Sequence, residues 1–302
     1  MRVLVTGATG FAGTWLVREL ERAGHEVMPT PPSTELEIAD RDAVRALVAA
    51  AAPDAIAHLA SASSGADASA DPARATRSMI GGTLAVTQAI ASAERQPALM
   101  LVSSAEVYGH PSAEPISETA ALAPRSTYGF LKVAQESVAS AAAQATGARL
   151  AIVRPFNHAG PGQRPRAVVA ALAARVAAVR AGESSEVIVG NMDVERDIGD
   201  VRDVAVAYRH VLEALVAGRI GDGPSVLNVA TGRAVRLRDV LEELCRIAGV
   251  DPEIRVDGSL VRSDDPPRIV GDATRLRALT GWEPRIALSQ TLADVLDLPT
   301  DA

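Results

Sequence analysis

Short apolar runs without polar alternation, separated by helical stretches, constrain the fold of this chain more than any other feature. In the first half these runs lie at residues 3–5, 55–59, 99–102 and 150–153. Strands that lack alternation are buried on both faces, as they are in parallel sheets. Helical stretches separate them, for example at residues 15–23, 42–51, 83–94 and 127–146. Because strands joined by helices make right-handed crossovers, the pattern predicts an α/β fold with a doubly wound parallel sheet.

A glycine-rich turn connects the first strand to the first helix, in the segment Thr-Gly-Ala-Thr-Gly-Phe-Ala-Gly at residues 6–13. Gly7 permits a tight turn, Gly10 lets the backbone approach a pyrophosphate, and Gly13 allows the helix to pack closely on the strand. Free N–H groups at the start of the helix then meet the phosphate charge. The turn predicts a dinucleotide site of Rossmann type, with cofactor contacts from Gly7, Thr9, Gly10, Phe11 and Gly13.

The segment after the second strand does not identify the dinucleotide. A site for NAD carries an acid there and a site for NADP a base, but residues 29–33 offer neither. NAD and NADP therefore both stay open as the cofactor. Glu37 is a candidate acceptor for the adenine amino group, with a solvated surface glutamate as the alternative. Further cofactor contacts are predicted near the ends of later strands, at Leu59, Ala60, Ser61 and Pro155.

The pattern becomes less regular after residue 155, where proline and glycine clusters interrupt it at 160–163 and 221–224. We expect a cofactor domain in residues 1–155, with elements near 200–230 returning to its sheet. Residues 156–302 are expected to form mainly a smaller substrate-binding lobe. Ligands of such sheets bind outside the carboxyl ends of the strands, so the lobe should close over that edge.

The basic residues single out one side chain. All but one of the 30 basic residues are arginine, and the exception is Lys132. Arginine stays charged and presents a planar fork, whereas lysine is a compact point charge with an adjustable pKa. A lone lysine in such a chain is expected to occupy a position that arginine cannot serve.

Tyr128 and Lys132 lie four residues apart in a helical stretch, hence on one helix face. A nearby ammonium favours the phenolate, so we expect a lowered pKa of the Tyr128 phenol. Such a tyrosine exchanges protons with a sugar alcohol or ketone. Ser104, after the strand at 99–102, would hydrogen-bond the same substrate oxygen. We predict that these three residues form a catalytic group; an ordinary exposed helix pair is the alternative.

Motifs in both halves of the chain resemble those of the extended short-chain dehydrogenase/reductases, the NAD-dependent epimerase/dehydratase family. The first half carries the glycine turn at 6–13, Ser-Ser-Ala-Glu-Val-Tyr-Gly at 103–109 and Tyr-x-x-x-Lys at 128–132. The second half is similar to the GDP-4-keto-6-deoxymannose reductases, a branch close to the GDP-mannose 4,6-dehydratases. The similar segments lie at 154–163, 189–203, 262–267 and 281–285.

The resemblance implies contacts with a nucleotide sugar from Asn157, Arg196, Arg262 and Asp265. A GDP-sugar carries a diphosphate, which suits the guanidinium fork of arginine. Structural ion pairs are the alternative for both arginines. Arg196 is flanked by Glu195 and Asp197, and Arg262 lies close to Asp264 and Asp265.

Three positions depart from the family pattern. Leu131 stands where a serine is usual before the lysine. Met79 stands where the third helix usually carries an asparagine, and Asp265 where relatives carry glutamate. None of these departures removes a catalytic group. We therefore expect a divergent member of the family.

The resemblance implies reduction, by NADPH or NADH, of the C4 keto group of a nucleotide-linked 4-keto-6-deoxy sugar, with GDP-4-keto-6-deoxymannose favoured. In that reaction Tyr128 would protonate the oxygen and Lys132 would hold the nicotinamide ribose, so both are also expected to contact the cofactor. A 4,6-dehydratase is an alternative that needs a catalytic base for the C5 proton. Glu106 would provide that base, although it also suits a role in capping the loop after the strand. A 4-epimerase is a further alternative, and a non-catalytic NAD(P)-binding regulator is a more distant one.

Composition and helix pattern limit the partners and the compartment. The net charge of −7 disfavours nucleic acid as the main partner. No apolar run reaches the ~20 residues that cross a membrane, and a strand pattern follows Met1 directly, so we expect no leader peptide. The single cysteine, Cys245, suits a reducing compartment, and we expect a cytoplasmic protein. The helices at 78–94 and 127–146 carry many small residues, and the resemblance implies a homodimer through that pair.

Overall fold

The computed structural model describes residues 1–61, 65–111, 113–221, 223–261 and 265–296, so the predicted substrate contact Arg262 lies outside the described residues. The strands are β1 (Arg2–Thr6), β2 (Glu26–Pro29), β3 (Ala55–His58), β4 (Ala98–Val102), β5 (Leu150–Pro155), β6 (Asn157–Ala159), β7 (Glu186–Val189), β8 (Glu195–Asp200), β9 (Pro224–Val229), β10 (Ala234–Arg236), β11 (Glu253–Val256) and β12 (Arg268–Ile269). The helices are α1 (Phe11–Arg22), α2 (Arg41–Ala51), α3 (Gly65–Ala70), α4 (Pro72–Thr76), α5 (Gly82–Ser92), α6 (Thr127–Thr146), α7 (Val168–Arg180), α8 (Val201–Val216), α9 (Leu237–Ala248), α10 (Thr274–Thr280) and α11 (Leu288–Leu296).

The main sheet has six parallel strands in the order β2-β1-β3-β4-β5-β9. This arrangement confirms the predicted doubly wound parallel sheet. β1 lies between β2 and β3, so successive strands are added on opposite sides of β1. The ligand crevice of such a sheet lies at this reversal, outside the carboxyl ends of the strands.

Side chains of the main sheet alternate between two cores. In β1, Val3 and Val5 face a core shared with α1 and α8, whereas Leu4 faces a core shared with α2, α5 and α6. In β4, Met100 faces the first core and Leu101 the second. Both faces are therefore apolar and buried, which is why the strand sequences show no polar alternation.

Helix α6 carries Tyr128 and Lys132, and its two ends are defined by local sequence. Ser126 caps the first turn, because its hydroxyl accepts a hydrogen bond from the N–H of Gly129 at 3.0 Å. Gly147 ends the helix in the left-handed conformation, with φ of +73°, and donates its N–H to the carbonyl of Ala143. The cap places Tyr128 in the first turn of the helix, at the carboxyl edge of the sheet.

The second half adds a smaller group of elements with its own core, formed mainly by α7, α9 and α11 against β7 and β8. β8 lies between β10 and β12 and also pairs with β6, while β7 pairs with β11. Two elements of this half return to the main sheet: β9 pairs with β5, and α8 packs on one face. In the described part of the chain, no helix has both the length and the apolar character that a membrane crossing requires.

Candidate active site

The predicted site residues of the first half converge on the carboxyl edge of the main sheet. The glycine turn follows β1, residues 59–61 follow β3, Ser104 follows β4, and Pro155 ends β5. Because all these strands are parallel, their carboxyl ends meet at one edge. The topology therefore brings the predicted cofactor and catalytic residues to the same crevice.

The glycine turn is packed so closely that its backbone excludes side chains. Gly7 has φ of +71°, and a Cβ there would lie 2.8 Å from the backbone nitrogen of Ala60. A Cβ on Gly13 would overlap the carbonyl oxygen of Gly7, and Gly10 donates its N–H to that same oxygen at 3.0 Å. The predicted roles of Gly7 and Gly13 in tight turn and close packing agree with this geometry.

The first turn of α1 fits a phosphate group. Gly10 stands at the N-cap, and among the described residues no side chain caps this helix and no acidic side chain lies in its first turn. The first N–H groups of a helix lack intrahelical acceptors, and the helix dipole adds positive potential there. Thr9 is exposed beside this turn, and the ring of Phe11 lies parallel to that of His158, with centroids 6.0 Å apart. The donor set and the side-chain-free backbone suit an anionic dinucleotide.

The segment after β3 joins the glycine turn to Lys132. Leu59 donates its N–H to the carbonyl oxygen of Thr6 at 3.1 Å, and Ala60 donates to the Thr6 hydroxyl at 3.2 Å. Ser61 accepts a long hydrogen bond from the Lys132 ammonium at 3.4 Å. These three predicted cofactor residues therefore lie between the glycine turn and the lysine.

Two other predicted cofactor residues lie on either side of this segment. Pro155 is buried at the end of β5. Glu37 lies exposed in the loop after β2, where its carboxylate accepts the N–H of Ala39 at 3.3 Å. Both stay candidates for contact with the dinucleotide.

Ser104 and Tyr128 form the predicted pair at the end of β4. Ser104 caps a short 3-10 helix at Ala105–Tyr108 by accepting the N–H of Glu106 at 3.1 Å. Its hydroxyl also lies near enough to the Tyr128 phenol to affect the pKa of that phenol. Glu106 is exposed, and its carboxylate accepts the hydroxyl proton of Ser126 at 2.7 Å. The carboxylate thus holds the residue that caps α6.

The pKa of Tyr128 differs from the expectation drawn from the sequence. Burial raises the pKa of this phenol well above its ordinary value, and the Glu106 carboxylate raises it further, while the nearby Ser104 hydroxyl lowers it. The Lys132 nitrogen lies 5.5 Å from the centre of the Tyr128 ring. The predicted lowering of this pKa is wrong for the protein alone, because burial and the Glu106 carboxylate both disfavour the phenolate. The Tyr128 phenol therefore keeps its proton at neutral pH.

Lys132 is fully enclosed, with 1% of its surface exposed. Its ammonium donates to the carbonyl oxygen of Val102 at 2.7 Å and to Oε1 of Gln135 at 3.0 Å. Burial lowers the pKa of Lys132 to about 7, against the opposing effects of the Glu136 and Glu106 carboxylates. An arginine would remain charged in this place. The environment therefore agrees with the inference that this position requires a lysine.

A buried ion pair that sequence reasoning missed lies behind Ser104. Arg154 of β5 donates to both carboxylate oxygens of Glu136 on α6, at 2.9 and 2.6 Å. Ser103, next to Ser104, donates to the same carboxylate at 2.5 Å. The sequence carried a signal for it, because the spacing of Lys132, Gln135 and Glu136 places three polar side chains on one face of a helix. The structure shows that this face of α6 is buried, where polar side chains need partners.

The predicted substrate contacts occupy the smaller group of elements. Asn157 is exposed in β6, opposite Ile198 of β8. Arg196, in β8, donates to Oδ1 of Asp265 at 2.6 Å and to the carbonyl oxygens of Glu195 and Pro266. The structure thus joins two predicted substrate residues, Arg196 and Asp265, in one ion pair.

The acidic neighbours of Arg196 in the sequence are not its ion-pair partners. Asp197 points to the opposite side of the strand, where it accepts hydrogen bonds from the backbone of Thr231 and Gly232. Arg196 therefore forms an ion pair, as the alternative to substrate binding predicted. Its partner is Asp265, which lies 69 positions away in the chain.

Comparisons with known proteins identify the family of the chain. The family model described as "NAD dependent epimerase/dehydratase family" matches residues 3–230. The chain is 34% identical over 298 residues to GDP-6-deoxy-D-mannose reductase of Pseudomonas aeruginosa, covering 98% of this chain and 96% of that protein. It is 29% identical over 317 residues to a UDP-glucose 4-epimerase of Mycolicibacterium smegmatis, covering 98% of each.

The fold comparison leads to the same group. The solved structure of RMD from Pseudomonas aeruginosa complexed with NADPH has a TM-score of 0.88 at 34% identity, covering 98% of this chain and 97% of that one. The parallel sheet with its flanking helices is therefore the fold of a known enzyme group. The chain belongs to the NAD dependent epimerase/dehydratase family and is an NAD(P)-dependent oxidoreductase of the extended short-chain dehydrogenase/reductase type.

Proposed function

We propose that the protein reduces the C4 keto group of a nucleotide-linked 4-keto-6-deoxy sugar, with GDP-4-keto-6-deoxymannose as the favoured substrate and a GDP-6-deoxyhexose as the product. One observation carries the proposal: Ser104, Tyr128 and Lys132 meet beside the glycine turn. They do so in a chain that is 34% identical, over nearly its whole length, to a GDP-6-deoxy-D-mannose reductase.

A dinucleotide of either kind fits the glycine turn, with Gly7, Thr9, Gly10, Phe11 and Gly13 as its proposed contacts. The first turn of α1 would receive the pyrophosphate, and residues 59–61 together with Pro155 would line the nicotinamide side. When bound in reduced form, the cofactor supplies the hydride that is added to C4. The solvent-exposed Glu37 is the proposed contact of the adenine amino group.

The residues of this chain would supply the proton and the positioning. Tyr128 donates its phenolic proton to the C4 oxygen as negative charge develops there, and its raised pKa keeps that proton in place until then. Ser104, whose hydroxyl lies near the Tyr128 phenol, shares the same substrate oxygen and orients it. The Lys132 ammonium stabilises the phenolate that is left after proton transfer.

The nucleotide sugar would be held by Asn157, Arg196, Asp265 and Arg262. The Arg196 guanidinium is oriented in advance by Asp265, with N–H groups directed in a fixed plane. A diphosphate presents oxygen acceptors that suit such a planar fork. We propose the corresponding division of the chain, with cofactor binding in residues 1–155 plus the elements that return near 200–230, and substrate binding mainly in residues 156–302.

A 4,6-dehydratase and a 4-epimerase are the alternatives on this fold. A dehydratase would need Glu106 as the base for the C5 proton. The Glu106 carboxylate is engaged with Ser126, the cap of the catalytic helix, which favours a role in holding that helix. This contact ranks the reductase above the dehydratase.

We also propose a cytoplasmic homodimer. The helices α5 and α6 pack side by side on one face of the sheet and are rich in small residues, which allow a close approach of twin helices. A single cysteine suits a reducing compartment. Sedimentation equilibrium measures the mass of the assembly, and a monomer at all concentrations would contradict the dimer.

The decisive experiment mixes the protein with GDP-4-keto-6-deoxymannose and either NADPH or NADH, and follows the loss of reduced-nicotinamide absorbance. We expect stoichiometric oxidation and a GDP-6-deoxyhexose, with the faster reaction identifying the preferred cofactor. Tyr128→Phe should lower kcat by about 10²- to 10⁴-fold, because the proton donor is lost, and should still bind the dinucleotide. Absence of oxidation by the unaltered protein would reject the proposal for this sugar.

A further inference from the structure

A chain of buried polar side chains connects Lys132 to the glycine turn. It runs from Lys132 through Gln135 and Thr83 to His58 and Thr6. None of these residues is more than 1% exposed. Burying a polar group costs free energy unless the group is hydrogen-bonded. A chain of five buried, hydrogen-bonded side chains therefore needs a structural or functional explanation.

The amide orientation of Gln135 follows from the chemistry of its neighbour. An ammonium has only donors, so Oε1 of Gln135 must be the atom that accepts from Lys132, at 3.0 Å. The amide N–H₂ then donates to the hydroxyl oxygen of Thr83 at 2.9 Å. The Gln135 side chain is thus held at both ends, one end on the lysine and the other on α5.

The rest of the chain is also defined in direction. The Thr83 hydroxyl donates to the carbonyl oxygen of Met79 at 2.7 Å, so it can only accept from Nε2 of His58 at 3.2 Å. Nδ1 of His58 then accepts the hydroxyl proton of Thr6 at 2.7 Å. Burial and the charge of Lys132 lower the pKa of His58 to about 3, in agreement with a neutral imidazole. The Thr6 hydroxyl in turn accepts the N–H of Ala60, against which Gly7 packs.

The acceptors that contact the ammonium in the described structure are neutral oxygens, from Val102, Gln135 and Ser61. Ionisable groups surround Lys132 at longer range: Tyr128 and Glu136 on its own helix, Glu106 in the 3-10 turn after β4, and His58 at the end of β3. Glu136 is occupied by Arg154 and Ser103. A neutral acceptor fixes the position of the ammonium and leaves its charge available to the site.

We propose that Gln135 is a positioning residue of this enzyme. Its carboxamide holds the Lys132 ammonium toward Tyr128 and, through Thr83 and His58, ties the lysine to the turn that receives the dinucleotide. An effect of Gln135 on turnover rests on the proposed function. An effect of Gln135 on the pKa of Lys132 does not.

The single lysine makes a direct test possible, because protein grown with [¹³Cε]lysine gives one side-chain NMR resonance, that of Lys132. Its pH titration is recorded without cofactor or substrate. Gln135→Met removes the acceptor at nearly constant volume, and we expect the pKa of Lys132 to fall by about one to two units, the size of a hydrogen bond to a charged group. Gln135→Glu places a carboxylate at the same position, and the pKa should rise by about one unit or more.

Threonines of α5 provide a matched pair of variants. Thr83 and Thr87 are both buried, and each donates its hydroxyl to the backbone carbonyl four residues earlier, but only Thr83 accepts from Gln135. Thr83→Val should shift the lysine titration in the same direction as Gln135→Met, by a smaller amount. Thr87→Val and the exposed Gln144→Met should leave the titration unchanged.

The pH profile of turnover completes the test. The alkaline limb of kcat/KM should move down in pH in Gln135→Met and up in Gln135→Glu, together with the lysine pKa. An unshifted lysine titration in both Gln135 variants would overturn the proposal, as would equal shifts from Thr83→Val and Thr87→Val. If the unaltered protein does not reduce the sugar, the proposed function fails, and the lysine titration still decides whether Gln135 positions Lys132.

Discussion

Arg154 and Glu136 form a bidentate ion pair in the interior, with N–O distances of 2.9 and 2.6 Å and side chains no more than 7% exposed. The pair joins β5 to α6, the helix of Tyr128 and Lys132, directly behind the strand end that carries Ser104. Arg154 also donates to the Tyr108 hydroxyl at 3.0 Å, which in turn donates to Asn228 of β9. The position of α6 over the sheet therefore depends on buried polar contacts as well as on apolar packing.

Breaking this pair should destabilise the protein more than removing it whole. Arg154→Met leaves the Glu136 carboxylate buried without its counter-charge, and we expect the free energy of unfolding to fall by about 3–5 kcal/mol. The double variant Arg154→Met with Glu136→Leu removes both charges and should recover most of that loss. Urea unfolding of the single and double variants measures the difference. Equal losses in the two would show that the charge pairing is not the origin of the effect.

Gly13→Ala should disrupt the dinucleotide site. The added Cβ would overlap the Gly7 carbonyl oxygen, which belongs to the backbone and cannot turn away. We expect a loss of stability of about 1–3 kcal/mol and dinucleotide binding weakened by about tenfold or more. Gly258→Ala is the matched control, since a Cβ there meets nothing within 4 Å. Fluorescence titration with NADPH and NADH measures both variants, and unchanged binding by Gly13→Ala would contradict the packing argument.

The buried imidazole of His58 should make stability depend on pH in the acid range. Its pKa is lowered from 6.5 to about 3 by burial and by the charge of Lys132. Between these values the unfolded chain binds a proton that the folded chain does not, so stability falls as the pH is lowered, by about 1.4 kcal/mol per pH unit for this group. His58→Gln removes the contribution. The difference between the unfolding curves of the two proteins should therefore shrink from pH 6.5 toward pH 3, and a constant difference would refute the assignment of a neutral His58.

The pair of Arg196 and Asp265 should act on the nucleotide sugar and not on the dinucleotide. Arg196→Gln removes the guanidinium, and we expect the KM for the nucleotide sugar to rise about tenfold or more, with dinucleotide binding unchanged. Arg255→Gln is the control, because Arg255 forms a comparable but exposed pair with Glu186. Steady-state kinetics with each substrate varied in turn separates the two effects. A rise in KM for both variants, or for neither, would remove Arg196 from the substrate site.

Local sequence determined the buried strands, the bounds of the long helix and the glycine turn, because these features depend on residues that are close together in the chain. The period of apolar residues identified the buried strands, and the helical stretch predicted at 127–146 has the observed bounds. In the structure a serine cap and a terminal glycine set those bounds, each within one helical turn. The glycine turn was recognisable for the same reason, since its conformation is set by contacts between Gly7, Gly10 and Gly13. The lone lysine was visible in the composition.

Tertiary structure decided the contacts between residues that are distant in the chain. Gln135 meets Thr83 across 52 positions, Glu136 meets Arg154 across 18, and Arg196 meets Asp265 across 69. No periodicity specifies such pairs. The pKa of Tyr128 was predicted in the wrong direction because spacing reveals the nearby ammonium but not the burial of the phenol. Desolvation is a property of the assembled site. The protonation states of Tyr128 and Lys132 were therefore decided only by the packing of α6 against the end of β4 and the glycine turn.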